Sequence, residues 1–379
     1  MLQWRVRSRS EMALIVGQLG VPPEIEAELN RLEGTYTFEK LSDKGRNGYL
    51  FKAHNRVLDR SVAIKFYFWA DGYRAHVEPQ ALARVASRSI IEILEASVVG
   101  EEWALFVTPF CEQGDVDRYL ETNRFGLREA LRFIGSLLDG VSALHRQRFV
   151  HRDLKPENIL VSDERMPLIA DFGSVRLLPD GEEVVAGSGH AALYRPPESF
   201  GSQRYDRRGD VYQTGMVLYQ VLGGRLSYTD ITYLNDEQKA RYASSNDDYE
   251  RSRIVDRAIQ ERAERQELLD SSSLPDVVPA AVRRVIRRAT APSPDDRYQS
   301  ASEFMNALND VLGGVGDWRF ADGEWLLHGA KGRYRFQPGE TIGRFVLQQN
   351  LGRGWRRIPG MGEDIKARLV PLAEDLAGR

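Results

Sequence analysis

The segment His151-Arg-Asp-Leu-Lys-Pro-Glu-Asn158, followed by Asp171-Phe-Gly173, gathers three carboxylates, a carboxamide and an ammonium in a short span. Carboxylate and carboxamide oxygens are hard donors, suited to a small divalent cation that also binds phosphate oxygens. Upstream, Asp43-Lys-Gly45-Arg-Asn-Gly48-Tyr-Leu50 reads as a turn. Its glycines would let backbone N–H groups approach a phosphate with no Cβ in the way. Lys65 ends the apolar run Val62-Ala-Ile-Lys65, where an unpaired ammonium would be costly.

These residues need a scaffold, and the hydrophobic pattern supplies one. From Tyr36 to about Tyr67, short β-like runs alternate with turn clusters at 43–48 and 55–60. Ser61–Trp69 reads as a buried strand, and a helix follows with Val77, Ala81, Leu82 and Val85 on one face. Ile90–Val99 and Trp103–Phe110 read as two more strands. Helical spacing then dominates at 127–146, 210–222 and 278–290. Strands first and helices second, joined near 111–115, imply two lobes with a cleft between them, a common place for a small-molecule site.

Three further regions flank or interrupt this plan. Residues 1–34 read as a helical extension, interrupted at Pro22-Pro23, with Ile25, Leu29 and Leu32 at helical spacing. The charge-dense stretch 227–273 reads as solvated helices with i,i+4 pairs. Gly313-Gly-Val-Gly316 marks a boundary, and 317–379 reads as a small separate β-rich module ending in a helix over 363–376. Few contacts are expected to cross that boundary.

Composition excludes several classes. Of 379 residues, 42% are apolar and 28% are charged, enough for a sizeable core. The 52 Lys and Arg nearly balance 55 Asp and Glu, so charge makes no case for nucleic acid or an anionic membrane. A single cysteine, Cys111, rules out an intramolecular disulfide and a Cys-rich zinc site. No stretch approaches the ~20 apolar residues of a spanning helix, and a cytoplasmic setting is expected.

Taken in order, the turn 43–50, Val62–Lys65, 151–158, 171–173, Tyr194-Arg-Pro-Pro-Glu198, Asp210-Val-Tyr-Gln-Thr-Gly215 and Pro294-Asp-Asp-Arg297 resemble the eukaryotic-type (Hanks-type) serine/threonine protein kinases. The resemblance runs from about Tyr36 to Leu312. It implies an α+β, two-lobed kinase fold at 35–313, with a β-rich N-lobe at 35–110 and a helical C-lobe at 111–313.

The resemblance also implies roles, with ATP and Mg²⁺ as cofactors and a protein as substrate. Asp153 would orient the acceptor hydroxyl and take its proton, and Lys155 would neutralise the moving phosphate. Asn158 and Asp171 would bind Mg²⁺. Gly45, Gly48 and Lys65 would meet the phosphates. Glu78 would hold Lys65, with Glu92 and Glu95 as competitors. Pro79, next to it, requires that Glu78 lie in a first helical turn. Leu50, Ala63, Thr108 (the gatekeeper), Phe110 and Leu160 would enclose the base. Cys111 would supply the hinge N–H donor, since Pro109 has none, and Asp115 would reach the ribose. His151 would be a packed scaffold residue. Arg152 would pair with a phosphate on the activation segment, for which Ser188 is the candidate site. Arg297 would pair with Glu198.

This copy departs from the family at Asp43, which occupies the first glycine position, and at Ala191, where a threonine is usual. These departures keep two alternatives open: a nucleotide-binding pseudokinase scaffold and a small-molecule kinase. In the last segment, Ile358-Pro-Gly-Met-Gly362 faintly resembles a helix-hairpin-helix turn, and eleven Lys/Arg stand against eight Asp/Glu over 317–379. A capped helix start on a docking or substrate-recruiting module is the preferred reading, and nucleic acid is not expected.

Overall fold

The computed structural model describes residues 20–45, 48–68, 77–179, 181–186, 192–201 and 204–378, without the side chains of 40–45, 77–78, 186 and 201. The first helix among the described residues is α1 (Pro23–Leu32), which has proline at its start and Glu24 and Glu26 in its first turn. Both features favour a helix N-terminus. Ile25, Leu29 and Leu32 lie one above another and are buried against Tyr36, Phe38, Phe51 and Ile64. The helix is therefore part of the N-lobe core, not a detached extension.

That lobe is a five-stranded antiparallel sheet of β1 (Tyr36–Gly45), β2 (Gly48–Asn55), β3 (Arg60–Phe68), β4 (Glu95–Val99) and β5 (Trp103–Pro109), in the order β1-β2-β3-β5-β4. Period-two burial puts Val62, Ile64 and Phe66 into the core beneath α1. Ala63 and Lys65 consequently point to the opposite face. Helix α2 (Val77–Arg84) packs on the turn at 172–174. The strand expected over Ile90–Val99 is only β4. Ile90 and Ile91 instead cross to the C-lobe, where Ile91 N donates to Ile169 O at 3.1 Å and Ile169 N to Ser89 O at 2.8 Å.

The C-lobe continues through α3 (Val116–Thr122), α4 (Leu127–Arg146), the short strands β6 (Phe149–Val150), β7 (Ile159–Val161), β8 (Pro167–Ile169), β9 (Arg176–Leu177) and β10 (Val185–Ala186), α5 (Glu198–Gly201), β11 (Arg204–Tyr205) and α6 (Arg207–Val221). Helices α7 (Asp236–Ser244), α8 (Asp248–Glu264), α9 (Ala280–Ala289) and α10 (Ala301–Leu312) complete it. Helix α6 is buried at every position from Gly209 to Val221, because α4, α9 and α10 surround it. The charge-dense stretch divides. Helix α7 buries nothing, but α8 turns Ile254, Val255, Ala258, Ile259 and Ala263 into a core with Tyr194 and Tyr212.

The last segment is an antiparallel meander, β12 (Asp317–Ala321), β13 (Glu324–Gly329), β14 (Gly332–Pro338), β15 (Phe345–Asn350) and β16 (Arg356–Arg357), covered by α11 (Lys366–Ala377). It is not loosely tethered. Trp318, Leu327, Leu347 and Ala373 belong to the same buried cluster as Leu127 and Leu131 of α4. Arg128 Nε donates to Val315 O at 2.7 Å. The Glu374 carboxylate is buried and accepts from Trp318 Nε1 at 3.1 Å and Gly316 N at 3.2 Å. The glycines before Asp317 permit a bend, but the apolar faces on either side of it are packed together. The turn Ile358–Gly362 follows strand β16, so it lacks the first helix of a helix-hairpin-helix. No helix among the described residues is long and apolar enough to cross a membrane.

Candidate active site

Lys65 of the sheet reaches Asp171 of the helical lobe, and Asp153, Lys155 and Asn158 cluster on the loop between β6 and β7. Sheet register places Ala63 opposite Thr108, Lys65 opposite Phe106 and Leu50 opposite Lys65. Ala63, Lys65, Phe106 and Thr108 thus share the cleft-facing side of the sheet. Lys65 Nζ lies 5.6 Å from the Phe106 ring centroid and 3.5 Å from Asp171 Oδ1, reaching the other lobe.

Asp171 has left-handed backbone angles, φ 54° and ψ 76°, and its Oδ1 accepts from Gly173 N at 3.4 Å. Burial pushes its carboxyl pKa up, but the Lys65 ammonium, His151 and the Gly173 N–H together more than offset this, and the net shift is downward. The group is therefore a carboxylate at neutral pH. Phe172, next in sequence, is fully buried with its ring 5.3 Å from that of His151. Burial lowers the pKa of His151 against the pull of nearby carboxylates, so this ring stays neutral and serves packing.

Asp153 is held from two sides. Asn158 Nδ2 donates to its backbone oxygen at 2.7 Å and to Oδ2 at 3.1 Å, and Lys155 Nζ lies 3.4 Å from Oδ2. The loop beneath is fixed by α6. Asp210 accepts from His151 N and Arg152 N, both at 2.9 Å, from His145 Nε2 at 2.8 Å and from Tyr205 OH at 2.8 Å. Gln213 accepts from Leu154 N at 2.8 Å and donates to Arg152 O at 3.2 Å. Tyr205 and His145 escaped the sequence reading, and Gln213 entered it only as a member of the Asp210–Gly215 motif. Gln213 carried a signal, since it lies three residues after Asp210 on one helix face.

Other placements refine or correct expectations. Gly48 has φ 144°, and a Cβ there would run into the Phe66 carbonyl, so β-sheet pairing itself demands glycine. Gly45 pairs with Gly48 at the hairpin end, and the Asp43 backbone pairs with Leu50. The side chains of Asp43, Gly45's neighbours and Glu78 lie outside the described residues, as do Ser188 and Ala191. Pro79 does fall in the first turn of α2. Phe110 N is taken by Ser61 O at 3.2 Å, whereas Cys111 N makes no such bond among the described residues. Burial, reinforced by Asp163 and Glu112, pushes the Cys111 thiol up to about 11.

Asp115 bridges Leu160 of β7, and its Oδ1 caps α3 by accepting from Arg118 N at 2.9 Å. Its carboxylate is already partly committed to that cap. Arg152 packs against the turn that follows Asp171. It is 5% exposed, its Nε donates to Ser174 O at 2.7 Å, and burial lowers its pKa to about 10.

Comparison with known proteins agrees with this geometry. The model of the protein kinase domain family matches residues 36–307. A probable serine/threonine-protein kinase of Clostridium acetobutylicum is 24% identical over 290 residues, 74% of this chain and 40% of that protein. Serine/threonine-protein kinase PknL of Mycobacterium tuberculosis is 28% identical over 295 residues, 75% of this chain and 67% of its own length. Serine/threonine-protein kinase ULK3 of Rattus norvegicus is 30% identical over 224 residues, 56% of this chain and 46% of its own. The chain belongs to the protein kinase family, in its eukaryotic-type serine/threonine branch.

Proposed function

We propose that the chain is an ATP- and Mg²⁺-dependent kinase that transfers the γ-phosphate to serine or threonine hydroxyls of proteins, in the cytoplasm. The observation that carries this reading is the approach of Lys65 Nζ to within 3.5 Å of Asp171 Oδ1, which joins the two lobes at one charged centre.

The residues fit the cofactors. Asn158 uses Nδ2 toward Asp153, which leaves Oδ1 as a hard donor, and Asp171 is ionised. One carboxylate, one carboxamide and phosphate oxygens suit Mg²⁺. Bound Mg²⁺ would supply neutralisation of phosphate charge. Lys65 would hold the phosphates, and Lys155 would offset negative charge beside the acceptor. Asp153, aligned by Asn158 and Lys155, would orient the acceptor hydroxyl and take its proton. Backbone N–H of Cys111 would meet the base, with Leu50, Ala63, Thr108, Phe110 and Leu160 around it. The names of the relatives, serine/threonine-protein kinases, support serine and threonine as acceptors.

The test is incubation of the purified chain with Mg²⁺ and labelled ATP, using casein and myelin basic protein as acceptors, followed by phosphoamino-acid analysis. Label on serine or threonine that disappears in Asp153→Asn supports the reading. Absence of label from the wild type refutes it.

A further inference from the structure

A groove of about 700 Å³ runs between the C-lobe and the C-terminal module. Leu120, Leu226 and Tyr228 form one side, and Phe320 of β12 and Trp325 of β13 form the other. The two module rings meet edge to face at 5.5 Å, and Phe320 remains 37% exposed. An aromatic pair held at the mouth of a groove is surface available to a partner.

The groove does not end at the module. It shares Ser227, Tyr228 and Tyr233 with a second cavity of about 380 Å³, whose lining includes Glu157. Glu157 lies two residues from Lys155 and four from Asp153, so the two cavities form one trough leading away from the catalytic loop. Tyr228 stands at the junction, donating to Asp117 Oδ1 at 2.8 Å.

The two halves differ in charge. In the near cavity, Asp248 pairs with Arg251 at 3.7 Å and Asp256 with Arg195 at 3.9 Å, which leaves Glu157 and Asp230 as the excess of negative charge. In the far groove several charged groups are engaged within the protein, while Arg225 and Glu267 line it from exposed positions. Arg262 donates to Tyr233 O at 2.9 Å, Arg124 to Leu120 O at 3.0 Å, and Asp270 accepts from Ser272 N at 2.8 Å. An occupant there meets the Phe320–Trp325 pair with Leu120 and Leu226, and Arg225 and Glu267 in the same lining.

We propose that this trough docks the protein substrate, and that the C-terminal module is half of the docking site. The preferred substrate carries basic side chains close to the phosphoacceptor and an aromatic or aliphatic anchor farther along, seated against Phe320 and Trp325. The proposal rests on the protein-kinase reading. Continuity of the trough with the catalytic loop selects a substrate over an unrelated partner. A second attachment point raises the effective concentration of the acceptor without touching the chemistry, so it acts on KM and not on kcat.

The full chain is assayed with two synthetic peptide libraries, each with one fixed serine. One is randomised only at the immediate flanks, and the other is extended by long random arms. The wild type should select arms that bear an aromatic or aliphatic residue. For a peptide so selected, Phe320→Ser should raise KM about tenfold with kcat unchanged, and leave activity on the short library intact. Thr232→Trp fills the groove from an exposed position, and should reproduce this pattern even if Phe320→Ser fails to fold. Equal use of both libraries with no selected anchor, or an unchanged KM in a folded variant, overturns the docking site and leaves the kinase reading standing. No transfer to either library overturns both.

Discussion

The guanidinium of Arg297 grips the carboxylate of Glu198 through two hydrogen bonds of 2.7 Å, across 99 residues of sequence. Arg297 is fully buried and also donates to the carbonyls of Ala291 at 2.7 Å and Pro292 at 2.8 Å. The pair ties α5, which closes the segment after Asp171, to the turn before α10. Bidentate geometry and satisfied donors are what make such a buried pair tolerable.

Arg297→Ala should therefore destabilise the protein by about 3–5 kcal/mol, since it strands Glu198 beside several orphaned carbonyls. Arg297→Lys should recover only part of this loss, because an ammonium cannot make the fork. Urea unfolding of both variants measures it, and a loss below about 1 kcal/mol for Arg297→Ala would show that the pair is not a structural tie.

Lys65→Met and Asp171→Ala should each abolish phosphoryl transfer while leaving the fold intact. Each removes one partner of the 3.5 Å contact that spans the cleft. Asp171→Ala should also lose thermal stabilisation by MgATP, since stabilisation by a ligand falls with its affinity. Calorimetry with and without MgATP reads this directly. Near-wild-type turnover in either variant would remove that residue from the site.

The glycines before Asp317 suggest that the chain could be cut there, and the packing says otherwise. Ending the chain at Leu312 would expose the apolar faces of α4 that Trp318 and Leu327 cover. That truncation should be insoluble or unfolded. Trp318→Ala in the full chain should lose about 3–5 kcal/mol, as expected when a large ring leaves a close-packed core. A soluble, cooperative, active truncation would show that the module is dispensable to the kinase core.

Cys111 should be unreactive at ordinary pH. Its folded pKa near 11 lies above the ~8.5 of a free thiol, so the thiolate is scarce until the solution is strongly alkaline. At pH 8, iodoacetamide should modify it on the order of a hundredfold more slowly than a free thiol. The rate should keep rising with pH beyond 9, where a free thiol levels off. Mass spectrometry of timed samples checks this, and rapid alkylation at pH 8 would mean the thiol is not shielded.

Much of the site was legible from residue types and order alone. Asp153, Lys155, Asn158 and Asp171 lie within one short span, and their donor chemistry points to phosphate and a hard cation. Period-two burial in β3 already turned Lys65 away from Val62 and Ile64, and the 3.6-residue period located α4, α6 and α9 closely. These are local properties, because each depends on neighbours a few residues away.

Contacts between distant segments were decided by the tertiary structure. That Lys65 meets Asp171, that Asp210 and Gln213 carry the backbone of 151–154, and that Arg152 is enclosed against Ser174 all depend on how separate elements pack. The same holds at both ends of the chain. The spacing of Ile25, Leu29 and Leu32 showed an apolar face but not what covers it. Gly313–Gly316 showed where the backbone can bend, not that Trp318 would pass beyond the bend into the core beside α4. A glycine-rich sequence reports the freedom of its own backbone, whereas burial is a sum over surfaces that meet only once the whole chain has folded.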